Sequence, residues 1–109
     1  MDWVNKHLQI VPINTFIDPI FPVENAIITH AHADHAKPGH NNVLATKHTI
    51  EIMKIRYGEN CANNFQELSF NSPLNINGVK VTFFPAGHIL GSAQVLLEYR
   101  KDKINFTGD

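Results

Sequence analysis

Six consecutive residues, His30-Ala31-His32-Ala33-Asp34-His35, include four side chains of the kinds that bind metal ions, directly after the apolar run Ala26-Ile27-Ile28-Thr29. In a chain leaving a strand, residues two apart project to the same side. His30 and His32 are therefore placed to share one cation, and neutral imidazole suits Zn²⁺. Asp34 and His35 would serve a second ion. The two alanine spacers keep bulk out of a crowded bend, and Pro38-Gly39 opens the loop beyond it. The alternative is a solvated histidine-rich loop, or histidines gathered on one adventitious ion. Against it stands the concentration of ligand types at a strand exit, in a chain of otherwise ordinary composition.

A second segment, Pro85-Ala86-Gly87-His88-Ile89-Leu90-Gly91-Ser92-Ala93, also follows an alternating strand pattern. Gly87 permits a sharp turn that would aim His88 at the first metal as its third ligand, and Gly91-Ser92 returns the chain to the next strand. A glycine-rich hairpin with a surface histidine is the bland alternative. Thr107-Gly108-Asp109 closes the last strand, and a carboxylate there could bridge two ions because each oxygen can hold one. Two cations roughly 3.5–4 Å apart polarise a scissile phosphoryl or acyl group and make hydroxide available near neutral pH, so no serine or cysteine nucleophile is required. The candidate metal ligands are thus His30, His32, Asp34, His35, His88 and Asp109, with Asp34, His35 and Asp109 nearest the chemistry. His7, His40 and His48 stand alone and read as surface or polar-core residues.

The elements that must position these residues follow from the patterning. Asn14 to Ile17 and Ala26 to Thr29 read as short buried strands, separated by the extended or turning Asp18-Pro19 and Phe21-Pro22. A helix is predicted over Thr46 to Tyr57, with Thr46 as N-cap, Ile50, Met53 and Tyr57 on one face as core residues, and Gly58 just past its end. Glu67 to Phe70 is expected as a short strand, and Asn75 to Gly78 as a tight turn. Val79, Val81 and Phe83, then Ala93, Val95, Leu97 and Tyr99, alternate with period two, and Ile104 and Phe106 face inward on a last strand after a turn over Arg100 to Lys103. The second half is therefore a β-meander.

A length of 109 residues with 43% hydrophobic residues suits one domain. The net charge of −1, with nine basic side chains scattered along the chain, supplies no phosphate-binding stripe. No apolar stretch is long enough to span a bilayer and no signal-peptide pattern opens the chain, which gives the expectation of a soluble, cytoplasmic protein with no membrane partner. The single Cys61 excludes an internal disulfide and reads as an incidental loop thiol in a polar stretch.

His30 through His35 resembles the signature of metallo-β-lactamase-fold hydrolases, and Ala86 through Ala93 resembles the matching segment of their nucleic-acid-cleaving β-CASP branch. Phe16-Ile17-Asp18-Pro19, Pro22-Val23, Ile28 through His35, Gly39-His40, Arg56-Tyr57-Gly58, Ile76 through Lys80 and Pro85 through Glu98 are similar to the bacterial ligase-associated DNA exonucleases, a group also described as messenger-RNA 3′-end processing factors. The resemblance runs from about Thr15 to Asp109. It implies an α/β fold, the αββα sandwich, with residues 1–109 as the amino-terminal portion of the metallo-β-lactamase domain. The rest of the sandwich, the β-CASP domain and a late histidine ligand would lie outside the chain, leaving a sheet face uncovered and the chain alone inactive. It also implies two Zn²⁺ ions, replaceable by Mn²⁺, with His30, His32 and His88 on the first, Asp34 and His35 on the second, and Asp109 between them. The implied partners are a nucleic acid substrate, DNA with RNA as runner-up, and by family resemblance a DNA ligase and a helicase. Two other readings remain: a thioesterase or lactamase of the same fold, disfavoured by Ala86 through Ala93, and a non-catalytic subunit, disfavoured by the intact ligand set.

Overall fold

The short apolar runs near the start of the chain pair into a mixed sheet because each is too short to bury itself alone. The computed structural model describes residues 2–87 and 90–107. Strands β1 (Gln9–Ile10), β2 (Thr15–Ile17), β3 (Asn25–Ile27), β4 (His40–Ala45) and β5 (Ala62–Glu67) form one sheet in that order. β1 and β2 are antiparallel, whereas β2, β3, β4 and β5 run parallel. Parallel neighbours require connections that leave from one end of the sheet and return at the other. The residues after β2, β3 and β4 therefore emerge side by side at the same end, and the metal motif is one of those exits.

Helix α1 (Lys47–Tyr57) makes the β4–β5 crossover. The Thr46 side chain caps it by accepting from the Thr49 N–H, and Gly58 ends it with its N–H on the Lys54 carbonyl. Ile50 and Met53 are buried, and Tyr57 packs partly against the same cluster, with Ile28, Val43 and Ala62 of the sheet. The second sheet is an antiparallel meander of β6 (Leu74–Ile76), β7 (Val79–Pro85), β8 (Ala93–Tyr99) and β9 (Asp102–Phe106). Its outer hairpins close through two-residue loops, Asn77-Gly78 and Arg100-Lys101. Asn77 and Gly78 both take positive φ, the backbone that matches strand twist in such loops.

The two sheets face each other. Ile17, Ile27 and Leu44 from the first meet Val81, Phe83, Val95 and Leu97 from the second in one core, with Trp3 closing its edge. The meander thus covers Ile17, Ile27 and Leu44 of the first sheet, a face expected to lie open, while Asn64 and Gln66 of β5 stay exposed. The outward face of the meander carries charge, with Glu98 3.6 Å from Lys80 and 3.7 Å from Lys103.

Two further expectations change. No strand covers Glu67 to Phe70; β5 lies earlier and ends at Glu67. Its polar Ala-Asn-Asn-Phe-Gln-Glu sequence is held by cross-strand amides, with Asn64 donating to Asn42, Asn42 to Asn25, Asn63 to Asn41 and Asn41 to Glu24. Pairing with neighbours, rather than intrinsic preference, makes it a strand. Cys61 lies in the loop between α1 and β5 as expected, but its thiol is buried, with Sγ 3.8 Å from the Met53 carbonyl, and burial pushes its pKa up.

His40 opens β4 with 1% of its surface exposed. Its Nδ1 accepts the Val23 N–H at 3.2 Å, which requires an unprotonated Nδ1, while its Nε2 has no hydrogen-bond partner among the described residues. Burial lowers its pKa from 6.5. Below that value the unfolded chain binds a proton that the native ring refuses, so stability falls as pH drops toward the native pKa and is insensitive to this group above the unfolded one. Melting temperatures measured from pH 8 to pH 5 should therefore fall less steeply for His40→Gln than for the wild type.

Candidate metal centre

β2 and β3 are parallel and in register, with Ile17 opposite Ile27, so Asp18 and Thr29 leave the sheet as neighbours. Asp18 takes a positive φ of 46°, a conformation that Asp tolerates better than most residues, and its N–H donates to the Ile27 carbonyl. Its carboxylate is thereby turned across the exit of β3. Oδ1 accepts the Thr29 N–H at 2.8 Å, and Oδ2 accepts the Thr29 hydroxyl at 2.6 Å. Oδ2 also lies 2.9 Å from His35 Nδ1.

Three imidazoles gather around this anchor. The His30 ring is buried, with its centroid 4.7 Å from that of His32 and 4.1 Å from that of His35. His35 Nε2 stands 3.7 Å from Asp34 Oδ2, a spacing suited to two donors on one ion, and the Asp34 side chain is 76% exposed. His32 is also exposed. The backbone between these side chains makes a tight turn in which the His35 and Ala36 N–H groups both donate to the His32 carbonyl at 2.9 Å.

Ligand atoms of Asp18, His30 and His35 all lie within 4.8 Å of one another. The Asp18 oxygens are already engaged by Thr29 and the His35 ring, so its chemistry is that of an orienting carboxylate. Holding the proton on His35 Nδ1 directs the Nε2 lone pair outward, toward Asp34, and raises its basicity. The donor set of imidazoles plus carboxylate fits a divalent cation of the zinc kind.

His88 and Asp109 lie outside the described residues. The described ends of the 86–93 loop are nonetheless fixed beside the motif, since Ala93 donates to the Thr29 carbonyl at 2.7 Å and the Thr46 hydroxyl donates to the Gly91 carbonyl at 2.6 Å. Gly91 has no room for a side chain: a Cβ there would come within 2.6 Å of His48 Cβ and 3.2 Å of the Thr49 nitrogen. From the far end of α1, Arg56 donates to the Ala31 carbonyl inside the motif. His7 and His48 are exposed, and His40 is engaged with Val23. A cavity of about 500 Å³ runs along β3, β4 and β5, lined by Asn25, Asn42, Asn64 and Gln66 among others and by none of the donors.

Of the expected ligands, the described residues His30, His32, Asp34 and His35 are brought together. Asp18 is the acid beside these side chains that motif reading passed over. The available signal was an acid directly after a short apolar run, at the exit of a strand adjacent to the motif's own. Asp18→Ala should leave a folded protein whose metal affinity is about 10–100-fold weaker, as measured by competition with a chromogenic chelator. Gly91→Ala should destabilise the chain by about 1–3 kcal/mol in chemical denaturation, because it combines a blocked contact with a φ of +84°.

No family model matches the chain. Over 103 residues it is 31% identical to a protein of Opitutus terrae named probable DNA ligase, spanning 94% of this chain and 10% of that one. It is 31% identical over 106 residues to an RNase J-like protein of Methanocaldococcus jannaschii, covering 80% of this chain and 25% of the relative. It is also 40% identical over 47 residues to the endoribonuclease YSH1 of Yarrowia lipolytica, across 43% of this chain and 6% of that protein. The chain thus spans a quarter or less of these relatives. Among solved structures, it superposes on Zn²⁺-bound PqqB from Methylobacterium extorquens with a TM-score of 0.50 and 13% identity, over 75% of this chain and 32% of that one. On CmlA, a diiron β-hydroxylase from Streptomyces venezuelae, the TM-score is 0.52 and the identity 15%, over 80% and 20%. The structural likenesses show the fold, and the sequence relatives narrow it. The chain has the metallo-β-lactamase fold, and the proteins it is similar to in sequence carry ligase and ribonuclease names.

Proposed function

We propose that this chain carries the metal-ligating part of a metal-dependent phosphodiesterase acting on nucleic acid, a DNA exonuclease of the ligase-associated type. The carrying observation is the grouping of His30, His32, Asp34 and His35 at one strand exit with Asp18 holding the His35 tautomer. The match of 94% of the chain to a protein named probable DNA ligase favours DNA. RNA is the second reading, favoured by the RNase J-like and endoribonuclease relatives.

In this reading His30 and His32, with His88, would hold a first zinc, Asp34 and His35 would hold a second, and Asp109 would add a carboxylate to the pair, with Mn²⁺ as a substitute. Bound there, the ions supply Lewis acidity toward the phosphoryl oxygens and a water that ionises near neutral pH. The chain's own residues do the positioning. Asp18 keeps the proton on His35 Nδ1, Arg56 restrains the Ala31 carbonyl so that His30 and His32 stay together, and Thr29 ties the motif to the 86–93 loop. With a net charge of −1, the chain gives a phosphate backbone little attraction apart from these ions.

The test offers labelled single-stranded DNA, matched RNA, a thioester and a lactam to metal-loaded protein carrying this chain. Hydrolysis of DNA, suppressed by chelator, is expected. His32→Ala and Asp34→Ala should each lower turnover at least about a hundredfold with an unchanged circular dichroism spectrum, because each removes a ligand without opening the core. Efficient thioester or lactam cleavage without nuclease activity would overturn the proposal, and a strong preference for RNA would establish the second reading.

A further inference from the structure

We infer that Asn77 is a site of spontaneous covalent modification, cyclising onto the Gly78 nitrogen and opening to an aspartyl or isoaspartyl chain, at a rate that the Asn75 side chain sets by holding the Gly78 N–H. The inference is independent of the nuclease reading. It concerns the two-residue loop between β6 and β7, to which the candidate metal centre gives no role.

An asparagine side chain loses ammonia when the backbone nitrogen of the next residue attacks its Cγ. The step needs access for water and base, a following residue without a bulky side chain, and an N–H free to give up its proton. Asn77 and Gly78 meet the first two conditions. Both are exposed, and they take φ of 46° and 92° in the tight loop that joins Ile76 to Val79. A Cβ built on Gly78 would meet only Tyr99 Cε1, at 3.9 Å, so the space beside the attacking nitrogen is open.

The fold acts on the third condition. Gly78 N–H donates to Asn75 Oδ1 at 2.9 Å. While that bond is made, the proton is retained and the loop keeps one conformation. The bond is neutral and exposed to solvent, so it restrains the N–H by a factor of only about two to ten. Asn75 therefore slows the cyclisation without preventing it.

The reaction needs no reagent besides water. The Gly78 nitrogen passes its proton to solvent base and bonds to Asn77 Cγ, the Cγ–Nδ2 bond breaks, and ammonia leaves. Water then opens the cyclic imide at either carbonyl. One opening gives aspartate; the other routes the main chain through Cγ and lengthens it by a methylene. A tight hairpin loop has no place for that methylene, and β6 pairs with β7 alone, so the isoaspartyl product disturbs the register of Leu74 with Val81 and Ile76 with Val79. Both products also put a carboxylate at Asn77, on the wall of the cavity of about 500 Å³. Asn71 supplies the internal comparison: it is exposed and has a φ of 61°, but the side chain of Ser72 crowds the attacking nitrogen.

The test incubates the full chain and the variants Asn75→Ala and Asn75→Asp in mildly alkaline buffer, folded and in urea. Each asparagine is followed by peptide mass mapping and by enzymatic methylation of isoaspartate. Product should collect at Asn77 before Asn71, and more slowly in the folded than in the unfolded chain. Asn75→Ala should raise the folded rate about two- to tenfold and leave the unfolded rate unchanged. Asn75→Asp keeps an acceptor, now a charged one, so its ratio of folded to unfolded rate should be no higher than that of the wild type. Amide exchange along β7 reports whether the hairpin stays paired in the alanine variant; where it does not, the aspartate variant decides. Product appearing first at Asn71, equal folded and unfolded rates, a paired Asn75→Ala hairpin that reacts at the wild-type rate, or a raised ratio in Asn75→Asp would each overturn the inference.

Discussion

Asp18 makes three hydrogen bonds, to the Thr29 N–H, the Thr29 hydroxyl and His35 Nδ1, and the arrangement at the strand exits depends on them. One carboxylate joins the end of β2 to the end of β3 and then reaches five residues past His30 to orient another imidazole. Each bond has a charged acceptor, and such bonds are roughly twice as strong as neutral ones. The carboxylate is little exposed, so solvent competes poorly for it. The donor group is consequently built from a rigid base: the sheet fixes Asp18, Asp18 fixes His35, and His35 sits against both His30 and Asp34.

This anchor requires parallel pairing. Had β2 and β3 been a hairpin, Asp18 and Thr29 would lie at opposite ends of the sheet. The crossover between them, residues 18–24, runs without a helix and is tied down by the opening of β4, where His40 accepts from Val23 and Asn41 donates to the Val23 carbonyl. The same stretch leaves Ile20 76% exposed.

The local features were legible in the sequence. The spacing in His30 through His35, the alternation of the meander strands and the cap of α1 are short-range signals that tertiary context reinforced. What escaped was set by neighbours distant along the chain. Asp18 next to Pro19 looked like a turn until β3 lay alongside it. β5 has only Ala62 and Phe65 as apolar residues and takes its conformation from an amide ladder reaching back to Asn25 and Glu24. Cys61 looked polar by its neighbours in sequence, whereas in space it lies against Met53 in the buried cluster that α1 covers. The packing of the meander on Ile17, Ile27 and Leu44 joins segments distant along the chain, which patterning within each segment does not show.

Helix α1 also acts as a gauge block. Near its first turn, Thr46 and Thr49 hold the Gly91 carbonyl; from its last turn, Arg56 holds the Ala31 carbonyl. The two loops approaching the candidate centre from different sheets are thus tied to one rigid rod, and the length of that rod sets how far apart they stand. One inserted residue lengthens a helix by about 1.5 Å and turns everything beyond it by about 100°. Either change would swing Arg56 off Ala31 while the threonine clamp stayed in place. Conservative exchanges along α1 leave that spacing alone, but its residue count is a dimension of the metal site.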